Sequence, residues 1–199
     1  ALRTIPACLK PVEAAARLFE RAGAIVEPVR PFMTRAMIDG MDNFWRCRSW
    51  MDISALPEAR RAKVLPFIVE WARGGAGLSG EQVFRGYSQM GAMRDAAVAA
   101  CAPFDVVISP TAPIAAYAAE LASPTDDPAR PLEHIGFTLP FNMSEQPSAS
   151  INCGYTRSGL PIGLQVTGPR HDDLGVLQVC HAWEQLRPAQ RPWPQPPAG

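Results

Sequence analysis

The chain has 199 residues, of which 47% are hydrophobic and 19% are charged, and this suits one buried core, as a single domain or as a large piece of a bigger one. Nineteen basic residues balance nineteen acidic residues, so the zero formal charge gives no general attraction to nucleic acid or to an anionic membrane. The longest apolar runs are as long as strands, far too short to span a membrane. We therefore expect neither nucleic acid nor a membrane as a partner.

The cysteines are odd in number and scattered, and none forms a C-x-x-C pair, which argues against a zinc knuckle or a thioredoxin-like site. They are Cys8, Cys47, Cys101, Cys153 and Cys180. We expect buried, reduced thiols in a cytoplasmic protein. No signal-peptide pattern opens the chain, and its start at Ala1 fits a processed, truncated or excised product as well as simple removal of Met.

The first unit in chain order is a predicted helix followed by a predicted strand. Pro11 suits the first turn of the helix, and Gly23 suits its end. The apolar stripe of this helix is Val12, Ala16, Phe19 and Ala22. Residues 24–26, Ala-Ile-Val, predict a short buried strand directly after the glycine. A helix that passes through one glycine into a strand is typical of an α/β protein.

Residues 34–73 have a helical pattern, with interruptions expected at Asp39, Gly40 and Pro57. The following stretch, residues 75–80, matches G-x-G-x-x-G. It follows a helical segment and lies in no βαβ unit, so a dinucleotide site is not expected. Ser79 and Gln82 instead predict a capping box for a helix that continues to about Cys101.

After Pro103 the pattern changes to strands and turns. Residues 104–108 predict a buried strand that leads into Ser109-Pro110-Thr111, and residues 112–131 predict a long polar loop. Three further short strands are predicted at 135–141, 149–153 and 162–167. A final helix is expected to begin at Asp172 or Asp173, and residues 187–199 form a Pro-rich tail. The residues of that helix expected to face the core are Leu174, Leu177, Cys180 and Trp183.

The common nucleophile motifs are absent from the sequence. There is no G-x-S-x-G elbow and no S-x-x-K. Lys10 and Lys63 are the two lysines, and both fall in ordinary solvated positions. No arrangement for nucleophilic catalysis survives this comparison.

The histidines do not predict a metal site. His134, His171 and His181 are too dispersed to form a convincing ligand set. The best cluster is His171 with the two aspartates that follow it, but acidic residues are expected at a helix N-terminus for capping alone. We predict no metal ion and no cofactor.

Three motifs occur in a fixed order in the second half of the chain. They are residues 104–113 (FDVVISPTAP), 138–142 (TLPFN) and 159–169 (GLPIGLQVTGP), followed by Asp172 or Asp173, Leu177 and Glu184. Their order and spacing closely resemble the carboxy-terminal half of amidase-signature enzymes, and residues 14–27 resemble the unit that follows the catalytic core of that family. The resemblance extends from about Pro11 to Gln185.

The resemblance implies a partial amidase-signature fold, an α/β fold whose mixed central sheet is flanked by helices. Residues 1–186 would be the carboxy-terminal portion of that domain. Enzymes of this family use a Ser–cis-Ser–Lys triad in a Gly/Ser-rich segment, in which a neutral lysine acts through the bridging serine. That segment lies upstream of the part matched here, so no catalytic residue can be assigned in this chain.

The same resemblance implies one wall of a substrate pocket. Its candidate substrate-binding residues are Thr111, Thr138, Phe141, Asn142 and Met143. The alternative is that these residues only complete the sheet. Where the family usually has a glycine and an apolar residue before Pro147, this chain has Glu145 and Gln146, which fits either a pocket for a polar substrate or a degenerate one. Gln165 has a scaffold role, since its amide must find partners in an apolar strand and is expected to tie neighbouring loops together.

Three functions follow from the resemblance. The first is the carboxy-terminal part of an amidase that hydrolyses the C–N bond of a small-molecule carboxamide. The others are the A subunit of a glutamine-dependent tRNA amidotransferase and a non-catalytic remnant with a binding or assembly role. Because a partial sheet leaves apolar surface and strand edges uncovered, we also expect self-association, or a tail or loop folded over the uncovered surface.

Overall fold

The computed structural model of the chain describes residues 4–192, which fold into helices around a small sheet. The helices are α1 (Pro6–Arg21), α2 (Arg35–Ser54), α3 (Glu58–Arg61), α4 (Pro66–Arg73), α5 (Gly80–Cys101), α6 (Leu139–Ser144) and α7 (Asp173–Leu186). The strands are β1 (Val107–Pro110), β2 (Ser148–Tyr155) and β3 (Pro161–Thr167). None of the described helices is both long enough and apolar enough to cross a membrane.

The sheet has the order β1-β3-β2, so β3 is its central strand. Both pairings are antiparallel. Val166 of β3 lies opposite Ile108 of β1 and opposite Ala149 of β2, and Gln165 is the residue before it. The short turn between β2 and β3 requires an antiparallel pair, since parallel strands need a longer crossover. The predicted α/β class is confirmed. The mixed pairing expected for the whole sheet does not occur among the three strands described.

One face of the sheet carries the main core. Leu164 and Val166 of β3 are fully buried between α1 and α7. The other buried members of this core are Val12, Ala15, Val176, Cys180 and Trp183. The indole Nε1 of Trp183 donates to the backbone oxygen of Asn152 at 3.0 Å, so the largest core side chain keeps its polar atom satisfied. Each fully buried leucine or valine contributes about 1.5–3 kcal/mol relative to exposure.

A second, helical unit is formed by α2, α4 and α5. The interruptions predicted at Asp39 and Gly40 are wrong, because α2 continues through both residues, whereas the one predicted at Pro57 is confirmed, because α3 begins directly after it. Gly40 instead lies where α2 crosses α5: a Cβ built on Gly86 would come within 2.4 Å of the Gly40 backbone oxygen. Because neither Gly40 nor Gly86 has a side chain, the backbones of α2 and α5 can approach closely. The capping box at Ser79 and Gln82 is confirmed, and residues 74–79 connect α4 to α5.

Two predicted strands do not form. Residues 135–141 fold as the end of a short 3₁₀ turn (Glu133–Ile135) followed by the start of α6. Pro140 lies in the first turn of α6, a position that proline favours, and the periodicity of so short an apolar run cannot separate a strand from a helix. Residues 24–26 form no helix or strand and pair with none of the described strands.

The ends of the chain also differ from the prediction. Helix α1 begins at Pro6, so Pro11 lies inside the helix and not in its first turn. In α7, Asp172 caps the helix as predicted, and its carboxylate accepts from Gly175 N at 3.0 Å. Leu174 and Leu177 were expected in the core, but they are 67% and 62% exposed.

The Pro-rich tail is described only as far as residue 192, and residues 193–199 lie outside the described part of the chain. The described part of the tail lies against the turn between β2 and β3. There the Arg191 guanidinium lies 4.6 Å from the Tyr155 ring centroid, and Arg191 N donates to the Tyr155 hydroxyl at 3.3 Å.

Candidate functional site

Gln165, in the third sequence motif, links the first motif to the residue that precedes the second. It is 3% exposed, and its side-chain Nε2 donates to Ser109 Oγ at 3.2 Å and to the Phe137 backbone oxygen at 3.0 Å. Ser109 precedes the Pro110-Thr111 turn, and Phe137 precedes Thr138. The expected scaffold role of Gln165 is confirmed, because one buried amide links the end of β1 to the start of α6.

Thr111 lies beside the central strand. Its backbone N donates to the Gly163 oxygen at 3.1 Å, and its Oγ1 shares a hydrogen bond of 2.7 Å with Ser150 Oγ. A Cβ on Gly163 would lie 2.5 Å from Thr111 Oγ1 and 2.6 Å from Ser150 Oγ. Only glycine fits at position 163, so the G-L-P-x-G motif gives the two hydroxyls room to meet.

Thr138 and Asn142 belong to α6. Thr138 precedes the helix, and its hydroxyl donates to the Ile135 backbone oxygen at 3.1 Å instead of capping the helix. The exposed Asn142 side chain donates to the Thr138 backbone oxygen through Nδ2 at 3.0 Å. Asn142 Oδ1 has no protein donor among the described hydrogen bonds, so it can accept from a ligand amide.

Phe141 and Met143 point to different surroundings. Phe141 is 6% exposed and, with Asn142, lines an open cavity of about 270 Å³. The remaining residues of that cavity are Glu145, Gln146, Pro147, His171 and Asp173. Met143 packs against the helical core of Met41, Met93 and Leu139. The structure therefore brings Phe141 and Asn142 to one cavity, while Thr111, Thr138 and Met143 do not line it.

The departure from the family pattern has a structural account. Glu145 has φ 60° and ψ 25°, a left-handed conformation that glycine adopts without strain. Its carboxylate pairs with Arg94 at 3.1 Å, and its side chain is 61% exposed. Gln146 points inward, where its Oε1 accepts from Ser144 Oγ at 2.9 Å and its Nε2 donates to Gly168 O at 3.0 Å. Of the two substitutions, Glu145 alone adds a charge at the cavity.

The loop before α6 is held by ion pairs that the sequence did not indicate. Arg130 Nη2 lies 2.6 Å from a carboxylate oxygen of Glu133, and Arg35 approaches the other at 3.9 Å. The hydrogen bond from Arg130 lowers the pKa of Glu133 below its usual value. Burial lowers the pKa of the neighbouring His134. Arg130, Glu133 and His134 lie in the segment that leads directly to Thr138, and Arg35 is the first residue of α2.

Arg46 fixes the long polar loop to the helical unit. Its Nη2 donates to the Pro128 backbone oxygen at 2.7 Å, and its Nε donates to Asp42 at 2.7 Å. Asp42 also accepts from Trp71 Nε1 at 2.8 Å. Arginine suits this place because its fixed fork of donors can serve a carboxylate and a loop carbonyl together. No local sequence signal links residues 46 and 128, which are 82 positions apart.

The candidate residues Thr111, Thr138, Phe141 and Asn142 carry hydroxyl, aromatic and amide groups. The hydroxyls of Thr111 and Ser150 are hydrogen bonded to each other, and within residues 4–192 no base is hydrogen bonded to either one. The described residues contain no group of three or more histidine, cysteine, aspartate or glutamate side chains that could hold a metal ion. Lys10 and Lys63 are both exposed. The cavity beside Asn142 also offers the carboxylates of Glu145 and Asp173 and the imidazole of His171 to a ligand.

Comparison with known sequences assigns the chain to a family. The sequence model of the family described as Amidase matches residues 4–177. The chain belongs to the amidase family. It is 39% identical over 84 residues to the A subunit of glutamyl-tRNA(Gln) amidotransferase from Brevibacillus brevis, and 37% identical over 81 residues to that from Myxococcus xanthus. These matches cover 42% and 41% of this chain, but only 17% and 16% of the two relatives.

Solved structures of amidase-signature enzymes share the fold. The 6-aminohexanoate cyclic dimer hydrolase in complex with its substrate matches 92% of this chain with a TM-score of 0.73 and 21% identity. A bacterial aryl acylamidase matches 89% with a TM-score of 0.73 and 24% identity. This chain spans 42% and 39% of those two proteins. The partial amidase-signature fold expected from the motifs is thereby confirmed.

Proposed function

We propose that residues 1–186 are the carboxy-terminal portion of an amidase that hydrolyses the C–N bond of a small-molecule carboxamide, with residues 187–199 as a tail. In this proposal the residues that attack the amide lie outside the chain. The chain contributes one wall of the substrate pocket, formed by Thr111, Thr138, Phe141, Asn142 and Met143.

The observation that carries the proposal is the pair of hydrogen bonds made by Gln165. They hold the turn that bears Thr111 next to the start of α6, where Thr138 and Asn142 lie. A pocket wall needs such rigid support, because a displacement of about 1 Å is enough to impair catalysis. Phe141 supplies an apolar surface, and Asn142 supplies an amide oxygen that accepts no hydrogen bond from the described residues; together they suit an amide with an apolar substituent.

The proposal is tested on the full-length product of the gene that encodes this chain. The coding sequence upstream of Ala1 should contain a lysine followed by a Gly/Ser-rich segment with two adjacent serines. The product should hydrolyse carboxamides, and Asn142→Ala should lower kcat/KM by about 10-fold or more, as expected when a polar contact to substrate is lost. Gln178→Ala, an exposed position on α7, is the matched control. Absence of the lysine and serine segment would remove the hydrolase proposal.

A second candidate is the A subunit of a glutamine-dependent tRNA amidotransferase. The identity of 39% with a protein of that name favours it. Glutamine-dependent amide transfer and co-purification with a partner protein would identify this activity, whereas hydrolysis of free carboxamides without a partner would support the amidase.

Self-association and a cytoplasmic location complete the proposal. Exposed apolar side chains such as Ile25, Phe84 and Leu174 support self-association of the isolated chain. The five cysteines are free, which suits a reducing compartment. Sedimentation of the purified chain over a range of concentrations tests the first expectation, and a single monomer throughout would contradict it.

A further inference from the structure

One face of the sheet carries a row of polar side chains. Leu164 of β3 lies in the core, so the side chain of the next residue, Gln165, lies on the opposite face, since successive side chains of a strand alternate. Ser109 of β1 and Ser150 of β2 lie opposite Gln165 in the register of the sheet. Because Gln165 Nε2 also donates to the Phe137 backbone oxygen, this polar face is the one that meets the segment before α6.

Two hydroxyl groups on this face form a separate pair. Ser150 Oγ shares a hydrogen bond of 2.7 Å with Thr111 Oγ1, and within residues 4–192 neither hydroxyl has another hydrogen-bond partner. A hydroxyl group has one proton to donate and two lone pairs that accept. One of the two protons lies between the two oxygens, so the other proton is free to be donated outside the pair.

Thr111 is the more firmly held member of the pair, and Ser150 is the more accessible one. Thr111 is half-buried, and its backbone N donates to the Gly163 oxygen at 3.1 Å. Ser150 is exposed. When Thr111 donates to Ser150, the proton of Ser150 remains for a ligand, and accepting a hydrogen bond strengthens a hydroxyl as a donor. The pair then acts as one donor at Ser150.

We infer that Ser150 is a further specificity-determining residue of the proposed amidase. Its hydroxyl, oriented by Thr111, donates to an oxygen atom of the substrate outside the amide group that is cleaved. This inference rests on the proposed function, in which Thr111 belongs to the pocket wall and the groups that attack the amide lie outside the chain. With Phe141 as an apolar surface, the wall selects a carboxamide whose apolar substituent contains one oxygen acceptor, such as an ether or a second carbonyl.

Strand β2 provides a matched control for Ser150. Ser148 is also exposed, and its Oγ shares a hydrogen bond of 2.8 Å with Thr167 Oγ1. Thr167 is 1% exposed and belongs to no part of the proposed pocket wall. Removing the hydroxyl of Ser148 or of Ser150 therefore removes one similar hydrogen bond from the same strand, but only the loss at Ser150 should change recognition of a ligand.

The inference is tested on the full-length product with heptanamide and its ether isosteres, in which one oxygen replaces one methylene group of the chain. Ser150→Ala should lower kcat/KM for at least one ether by about 5-fold or more. The loss should appear in KM with kcat nearly unchanged, because a contact made equally to substrate and transition state is removed. Hydrolysis of heptanamide should not change, and Ser148→Ala should alter neither substrate. An equal loss for ethers and heptanamide, or no loss at all, would overturn the inference.

Substitutions of Thr111 separate its orienting role from a role in folding. Thr111→Val removes the hydroxyl and should cause the same selective loss for the ether as Ser150→Ala. The double variant should lose no more than either single variant, because the two groups act as one donor. Thr111→Ser, which keeps a hydroxyl, should recover most of the lost kcat/KM. Independent, additive losses in the double variant would contradict the orientation of Ser150 by Thr111.

Calorimetric binding of the same amides distinguishes failure of the inference from failure of the proposed function. Binding of an ether that depends on Ser150, without hydrolysis, would retain the donor pair and reject the amidase. Hydrolysis of the whole series without any dependence on Ser150 would retain the amidase and reject the donor pair. A full-length product that binds no member of the series would also overturn the inference, whatever its activity toward other amides.

Discussion

Strand β3 and residues 24–29 (the 24–29 segment) have similar sequences, but only β3 forms part of a sheet. Both contain adjacent β-branched or aliphatic residues, and both lie next to glycines that end or begin an element. In β3, Leu164 and Val166 are completely buried, and the strand pairs on both sides. In the 24–29 segment, Ile25 is 90% exposed and the backbone pairs with nothing described.

The contrast shows that strand formation depends on a neighbouring strand as much as on the backbone preference of the residues. β-Branched residues fit a pleated surface that is covered on at least one face, and their preference is realised only where a neighbouring strand exists. The described chain supplies two neighbours for β3 and none for the 24–29 segment. The predictions that follow test how far this difference is expressed in stability.

The largest expected effect is on unfolding of the core. Leu164→Ala should lower the free energy of unfolding by about 2–5 kcal/mol, since it leaves a cavity at a fully buried site. Ile25→Ala, its counterpart in the exposed segment, should change the free energy by less than about 0.5 kcal/mol in the isolated chain. Urea unfolding of both variants measures the difference, and similar losses for the two would contradict the contrast.

A second substitution tests the polar face of β3. Gln165→Leu should lower the free energy of unfolding by about 1–3 kcal/mol, because the Phe137 backbone oxygen would lose its donor in a partly buried position. Gln178→Leu on the exposed face of α7 should be nearly neutral. Urea unfolding at constant pH gives both values. A neutral Gln165→Leu would mean that the link between the two motifs does not depend on this amide.

Removing backbone strain next to the cavity should increase stability. Glu145→Gly should raise the free energy of unfolding by about 0.5–1 kcal/mol, because glycine adopts the positive φ at this position without steric cost. Arg94→Ala, which removes only the exposed ion pair, should lower stability by about 0–1 kcal/mol and serves as the control. A loss of stability in Glu145→Gly would show that the pair with Arg94 outweighs the strain.

The smallest expected effect is the pH dependence due to Glu133. Its pKa is lowered in the folded chain, mainly by the hydrogen bond from Arg130. Its contribution to stability is therefore complete above the unfolded pKa of about 4.3 and is lost as the pH falls through the folded pKa. Glu133→Gln should reduce the loss of stability on acidification through this range. Identical acid unfolding curves for the variant and the wild type would contradict this role.

The sequence predicts the elements whose signals are local. The capping box at Ser79 and Gln82, the cap at Asp172 and the central strand near Gln165 follow from spacing and alternation, and all of them form. The partial amidase fold follows from the order of three motifs. The role of Gln165 was also foreseeable, because a buried amide in an apolar strand requires partners.

What the sequence could not predict depends on contacts between distant residues. The apolar run at 135–141 is too short to separate a strand from a helix, although Pro140 was a usable signal for a helix start. Helix α7 is apolar around most of its circumference, so its pattern does not show which face the chain covers, and Leu174 proves to be exposed. The link from Arg46 to Pro128 has no local signature.

The central claim is that this chain supplies a pocket wall and not the nucleophile. Its most direct test is to treat the purified 199-residue chain with a serine-directed fluorophosphonate probe and to measure covalent labelling by intact-protein mass spectrometry, with the full-length product as the positive control. We expect no labelling of the chain, because the Thr111 and Ser150 hydroxyls are hydrogen bonded to each other and no base is hydrogen bonded to them in the part of the chain that the structure describes. Stoichiometric labelling of a serine in the isolated chain would contradict the claim.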